Sequence, residues 1–378
     1  MAASEAHSTT SPRLCYAAAH VVMSEGYRAV DHSVSSPGTA DEIAEYINWD
    51  ATMAFRNHLD GLGFGIAEAM DTAQRFSLGW KNAERLIRSC GGLNLSERFV
   101  AGAGVDHLAA VRDVDDLIEG VIYQTRIIQE SHGDVIVLPM AWLPEHDASE
   151  QVYVDVYTSI IDAVDGPLFL HWLGEMFAPN LAGYFPGDSF FRIMAHDPRK
   201  VRGAKLSLLD DEFECTTRTR LSKDDQIVLT GDDFHFASLI LGTEPGITKS
   251  VTIGERVVRL GEFSHALLGV FDAVAAPASR ALHALGEGDV QAYEGHMRPC
   301  EALGQAIFQP PTNLYKSGLA FLSWLNGHQD NCMLLNHEEQ LRPAAYYEDV
   351  FRLAQDADAL ENPVLAAQRM TQWRAESA

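Results

Sequence analysis

Residues 201–210 read Val-Arg-Gly-Ala-Lys-Leu-Ser-Leu-Leu-Asp (VRGAKLSLLD), and the lysine set into this apolar run decides the fold. Successive side chains of a strand point to opposite faces, so Val201, Gly203, Lys205 and Ser207 share one face while Ala204, Leu206 and Leu208 share the other. The all-apolar face belongs against helices, and a strand buried on both sides belongs in a parallel sheet. Lys205 then points away from the helices, with Gly203 below it leaving room for its stem.

Working outward, seven further short apolar runs accompany this one, at residues 14–22, 65–72, 98–104, 134–141, 167–172, 226–231 and 266–271. With 203–209 they make eight strands. Amphipathic stretches at 49–62, 79–90, 114–131, 149–164 and 232–241 lie between them. Repeated strand–helix units of this kind predict an α/β fold, a (β/α)₈ TIM barrel. From residue 277 onward the pattern is helical almost throughout. The expected organisation is a disordered tail over 1–12, a barrel over 13–290 with a long loop or lid at 24–48, and a C-terminal helical extension over 291–378.

Composition narrows the function. The chain has 53 acidic against 28 basic residues, a formal net charge of −25, which repels nucleic-acid backbones and anionic membranes. No apolar run reaches the roughly 20 residues that span a bilayer, and the N-terminus lacks the pattern of a secretory signal. The five cysteines, Cys15, Cys90, Cys215, Cys300 and Cys332, show no CxxC spacing, so neither disulfides nor a zinc knuckle is expected. A cytoplasmic protein acting on a small molecule follows as the expectation.

In barrels of this class the chemistry sits at the C-terminal strand ends. The side chains there are His20, Asp71 with Thr72, Asp106 with His107, Trp142, His171, Lys205, Asp232 with Asp233, and Phe271 with Asp272. Lys205 is the one amine among them. Held in the barrel wall it is partly desolvated, which disfavours the ammonium form and favours the neutral amine that attacks a carbonyl. The structural alternative is a lysine paired with an inward acid such as Glu68. His171 closes a strand and is either a hydrogen-bonded core residue or an acid–base group. Asp71 either orients an imidazole or caps the next helix, Asp232 and Asp233 precede a helix as capping candidates, and His20 sits beside the long loop.

From about residue 14 to 327 the chain resembles the dihydrodipicolinate synthase and N-acetylneuraminate lyase superfamily, of which it looks like a divergent branch. Gly203-Ala204-Lys205 is similar to the family's Gly-Ile-Lys, and Leu229-Thr230-Gly231-Asp232-Asp233 to its Ser-Gly-Asp-Asp. The run 269–278, the Pro310-Pro311 turn and the helix at 315–324 resemble the family's ending. The departures are equally specific. Met70-Asp71-Thr72-Ala73-Gln74 stands where the family has Gly-Thr-Thr-Gly-Glu, and His171-Trp172-Leu173-Gly174 stands for Tyr-Asn-x-Pro. Met140-Ala141, followed by Trp142, replaces an aromatic pair.

The resemblance implies a class I aldolase-type lyase that forms a Schiff base on Lys205. The reaction is aldol cleavage, aldol condensation or dehydration, the substrate a 2-oxo acid, a keto-sugar acid or a keto sugar. It also implies no cofactor and no metal, and assembly as a homodimer or homotetramer. Thr72 falls at the position that holds a substrate carboxylate. Asp71 and His171 stand for the usual threonine–tyrosine relay, so the expectation is that Asp71 orients His171 as general acid and base. His20, His107, Trp142, Asp232 and Phe271 are further substrate-binding candidates. Two other readings compete: a metal-dependent sugar isomerase or epimerase with ligands among His20, Glu68, Asp71, His107, His171 and Asp232, though without HxH or HExxH spacing, and a barrel that binds a ligand without catalysis.

Overall fold

The structure is a computed structural model that describes residues 12–243 and 247–376. Eight parallel strands close into a barrel: β1 (Cys15–Ala18), β2 (Gly65–Glu68), β3 (Val100–Ala103), β4 (Asp134–Val137), β5 (Leu168–Leu173), β6 (Val201–Ser207), β7 (Ile227–Thr230) and, after an inserted hairpin, β10 (His265–Leu268). Each barrel strand pairs with its neighbour in sequence, and β10 closes the circle between β7 and β1. Every one of the eight expected runs holds a barrel strand. Most are shorter than the sequence suggests, because the residues at their C-terminal ends leave the ladder to become loops over the mouth.

The hairpin, β8 (Ile247–Ile253) and β9 (Arg256–Gly261), is an element the eight-strand reading leaves unassigned. Its signal is present in the sequence: Val251 and Ile253 alternate on one strand, Val258 and Leu260 on the other, around Gly254, whose φ of +60° suits a tight turn. These four side chains pack with Tyr16, Phe169, Ile227, Leu229 and Leu267, inward residues of the barrel, and so plug its N-terminal end. Arg256 pins the plug, donating to the Tyr16 hydroxyl at 2.6 Å and to the carboxylate of Asp134.

The helices Trp49–Gly61, Trp80–Gly91, Val114–Glu130 and Glu150–Ala163 fill the expected stretches, each against the outer faces of the strands. Beyond β10 the chain is helical: Phe271–Gly286, Val290–Ile307, Lys316–Asn326, Ala344–Asp356 and Pro363–Glu376. The third of these has no solvent face. Residues 316–325 are all buried, a mostly apolar run that takes Lys316, Ser317 and Ser323 into the interior with it. Its N-terminus is held at the barrel mouth. No helix among the described residues is long and apolar enough to cross a membrane.

Of the tail expected over 1–12, residues 1–11 lie outside the described residues. The loop at 24–48 carries a short turn of helix at Glu25–Ala29 and a second at Ala40–Ala44. It is latched to the C-terminal extension: the Tyr27 hydroxyl accepts from the Asn336 amide at 2.9 Å, Tyr27 stacks on His337 with ring centres 4.7 Å apart, and the Gly38 amide donates to Asn336 Oδ1 at 3.0 Å.

Candidate active site

β5 and β6 pair with His171 opposite Lys205 and Leu173 opposite Ser207. Both strands turn these polar residues inward at the C-terminal mouth, where they line a cavity of about 360 Å³ together with Thr72, Asp233 and Tyr315. Among the described residues Lys205 has no hydrogen-bond or ion-pair partner, so the anchoring expected from Glu68 is absent. Glu68 instead forms a buried two-pronged pair with Arg56, at 2.7 and 2.9 Å.

The lysine stem passes over Gly231, where any Cβ would lie 2.7 Å from Lys205 Cε and 2.2 Å from Ser207 Oγ. Only glycine admits both. Burial pushes the Lys205 amine down to about 8, opposed by the negative charges of Asp233 and Asp71. An ammonium is less stable where water cannot solvate it, so a fraction of the amine is neutral at physiological pH. Asp233 moves the other way. Burial raises its carboxyl to about 7, against a hydrogen bond from the Val270 amide at 3.0 Å and the pull of Lys205. A base and an acid that both titrate near neutrality thus face one cavity.

His171 is 3% exposed. Its Nε2 lies 3.2 Å from Ser207 Oγ, and its buried Nδ1 has no partner. Burial, reinforced by the charge on Lys205, holds the imidazole well below its usual range and therefore neutral. The expected pairing with Asp71 does not form. Asp71 is partly exposed at the rim and accepts from Lys316 Nζ at 3.3 Å, because the C-terminal helix brings that ammonium to it.

The same helix supplies a group that strand-end reasoning misses. The Tyr315 hydroxyl is 2.9 Å from Thr72 Oγ1, and its ring is stacked on Phe308 with centres 4.2 Å apart. Burial and the neighbouring carboxylates of Asp71 and Asp233 push this phenol well above its usual range, so it keeps its proton. A hydroxyl pair therefore exists in the cavity although no tyrosine stands on β5. Gly269 makes room for it, since a Cβ there would come within 3.1 Å of the Tyr315 ring. The one sequence clue is a phenol at the head of an otherwise apolar helix.

Five of the expected substrate-binding residues lie outside this cavity. Both ring nitrogens of His20 are engaged in the interior, 2.7 Å from Asp272 Oδ2 and 2.6 Å from Gln329 Oε1. His107 packs on Tyr123 at 4.6 Å and approaches Gln124. Trp142 stacks on His146 at 4.0 Å, while the preceding Ala141 reaches the cavity. Asp232 turns away to accept from the Phe234 and His235 amides at 2.8 and 3.0 Å, leaving the site to Asp233. Phe271 is core, against Phe64 and Phe236.

The six ligands of the metal-dependent alternative do not converge either. Among the described residues the one cluster with donor atoms close enough for a metal ion is His58, His328 and Glu361, on the outside of the barrel.

Solved structures with the same fold span nearly the whole chain. Dihydrodipicolinate synthase from Aquifex aeolicus superposes with a TM-score of 0.63 at 13% identity, covering 93% of this chain and 100% of that one. A prophage protein of Escherichia coli K12 belonging to the dihydrodipicolinic acid synthase family, solved with pyruvate, gives 0.63 at 15%, covering 88% and 100%. N-acetylneuraminate lyase from Mycoplasma synoviae gives 0.59 at 11%, covering 91% and 98%. At these identities the likeness establishes the fold. No curated protein matches in sequence. A family model does match, over residues 1–376, and the chain belongs to that family, described as "Protein of unknown function (DUF993)".

Proposed function

We propose that the protein is a Schiff-base-forming lyase that holds a small carbonyl substrate as an imine on Lys205. The observation that carries this reading is the Lys205 amine, without a partner among the described residues and lowered to about 8 by burial, facing the same cavity as an Asp233 carboxyl raised to about 7. Neutral Nζ adds to the carbonyl carbon. A proton moves from nitrogen to the new alkoxide, the hydroxyl leaves as water with a second proton, and a protonated imine remains. In aldol cleavage that cation accepts the electron pair of the α,β carbon–carbon bond as the β hydroxyl gives up its proton and becomes a carbonyl; in dehydration it accepts the pair of an α carbon–hydrogen bond, and the resulting enamine expels the β hydroxyl, protonated, as water. Hydrolysis of the imine that remains, after protonation of any enamine, returns the product carbonyl and the free amine.

Protonated Asp233 is suited to giving the proton that expels water. Tyr315 and Thr72 form a hydroxyl relay to the substrate. His171, kept neutral, lines the cavity and holds Ser207 through Nε2. The general-acid role expected of His171 passes to Asp233 in this reading, because an imidazole held far below its usual range is a poor reservoir of protons near neutrality.

The cavity's charges bear on the substrate. Arg75, which borders it, is saturated: it donates to Asp106, Gln124, Ala69 and Gly102. Thr72 is engaged by Tyr315, and Lys316 by Asp71 and the Asn313 carbonyl. With no spare cation besides Lys205 among the described residues that line the cavity, a neutral keto sugar fits better than a carboxylate. A 2-oxo acid such as the pyruvate of the E. coli neighbour is the natural comparison.

The decisive experiment incubates the protein with a panel of keto sugars and 2-oxo acids, reduces with borohydride, and maps adducts by mass spectrometry. An adduct on Lys205 is expected, strongest with the neutral ketones. Adducts on no substrate, or on surface lysines alone, overturn the reading. Assembly as a homodimer or homotetramer belongs to the same proposal, and a solution mass equal to one chain overturns that part alone.

A further inference from the structure

Apart from the residues that line the Lys205 cavity, three residues from distant parts of the chain meet. His58 lies near the end of helix Trp49–Gly61, which packs on the barrel. His328 follows helix Lys316–Asn326, and Glu361 precedes helix Pro363–Glu376. His58 Nε2 is 3.2 Å and His328 Nε2 is 3.0 Å from the same oxygen, Glu361 Oε1. The two imidazoles are 4.2 Å apart between ring centres, and the three donor atoms all lie within 4.8 Å of one another.

We propose that His58, His328 and Glu361 bind one divalent transition-metal ion, zinc by preference, which clips the C-terminal helices to the outside of the barrel.

The geometry matches the ion. Zinc bonds to imidazole nitrogen and carboxylate oxygen are about 2.0–2.2 Å long, and at tetrahedral angles such bonds set ligand atoms about 3.3–3.5 Å apart. The observed nitrogen–oxygen spacings are within a few tenths of an ångström of that. Side-chain rotation of that size admits an ion with little disturbance of the backbone. Two neutral nitrogens and one carboxylate leave a fourth position for water, a donor set that suits zinc and neighbouring first-row ions and not the hard, oxygen-preferring magnesium or calcium.

The side chains are also held in place beforehand. Phe55 packs against both imidazoles, with ring centres 6.1 Å from His58 and 5.5 Å from His328. The Glu361 amide donates to Asn326 Oδ1 at 3.0 Å, which fixes the backbone that presents the carboxylate. Relative exposures of 28%, 18% and 31% leave the site open to an ion from solvent while restricting the rotamers.

The ordinary alternative is a hydrogen-bonded surface triad with no affinity for metal, and the test separates the two. The chelator-treated full-length protein is titrated with zinc by calorimetry and with cobalt(II) by visible absorption, and its thermal transition is followed with and without one equivalent of zinc. One equivalent should bind, with the d–d bands of a low-coordinate cobalt site and a higher melting temperature. His58→Ala and the nearly isosteric Glu361→Gln should each abolish the stoichiometric binding and the thermal shift while the borohydride adduct on Lys205 persists. No stoichiometric binding, or binding that survives both substitutions in folded protein, overturns the proposal.

Discussion

The two ends of the barrel treat charge in opposite ways. At the N-terminal end the hairpin β8–β9 fills the opening with Val251, Ile253, Val258 and Leu260, and the buried carboxylate of Asp134 is ion-paired with Arg256 and Arg98, even though its Oδ1 and Arg256 Nε make no hydrogen bond. At the C-terminal end Lys205 has no ion-pair partner among the described residues, His171 Nδ1 has no hydrogen bond, and Asp233 holds its proton to about pH 7. The first arrangement stabilises the molecule. The second costs stability, since a buried polar group without a partner forfeits its hydration, and it is at such incompletely satisfied sites that substrate atoms find their partners.

Substitutions at each end put this contrast at risk. Lys205→Ala should have the largest effect. Borohydride trapping should vanish at the substituted site, and turnover should fall by at least about a thousandfold, as for loss of a covalent nucleophile. Retained turnover would mean that the lysine is merely a buried cation. Tyr315→Phe is the next test. It should lower turnover by about 10²–10⁴, the range of a lost proton-transfer group, while the adduct on Lys205 still accumulates. Loss of the adduct as well would place Tyr315 in substrate binding and not in the relay.

The opposite end should answer in stability alone. Arg256→Ala leaves Asp134 with Arg98 only and removes the donor to the Tyr16 hydroxyl, so unfolding free energy should drop by about 3 kcal/mol, read by denaturant titration. Trapping per folded molecule should be unchanged. A matching loss of trapping would show that the two ends are coupled through the barrel wall.

The smallest effect concerns pH. The Asp233 carboxyl is raised in the folded chain, so its contribution to stability is full below the ordinary carboxylate range near pH 4 and is lost as pH rises through about 7. Lys205 is lowered, so its contribution is full above the ordinary lysine range near pH 10.4 and is lost as pH falls through about 8. Asp233→Asn should therefore gain stability relative to the parent between pH 5 and pH 8. Imine formation in the parent should be bell-shaped, with a maximum between 7 and 8, and in Asp233→Asn it should keep only the rising limb. An unchanged alkaline limb would remove Asp233 from the acid role.

Alternation along a strand is a local property, which is why Lys205, Gly203 and Ser207 are correctly placed on one inward face from the sequence. Repetition of strand and helix over 14–271 is local as well, and it yields all eight barrel strands and the four long barrel helices. The hairpin at 247–261 has just as clear a local pattern, yet a count of barrel strands gives it no place. Only its packing against inward residues such as Tyr16 and Phe169 shows that it is a plug.

Position at a strand end is a weaker guide than strand identity, because a side chain there can turn into the cavity or out of it. Asp232 and Asp233 are adjacent and chemically identical; both accept from backbone amides, but only Asp233 lines the cavity with Lys205. His20 lies just beyond β1 and His171 near the end of β5, and one is consumed by Asp272 and Gln329 while the other reaches the cavity.

By itself, then, the sequence determined the barrel and the inward lysine, because both follow from periodicities within a few residues of chain. Which groups surround that lysine was decided by tertiary structure. Tyr315 meets Thr72 across 243 residues, Lys316 meets Asp71 across 245, and His58 meets Glu361 across 303, through the docking of C-terminal helices on a surface whose shape no local pattern encodes.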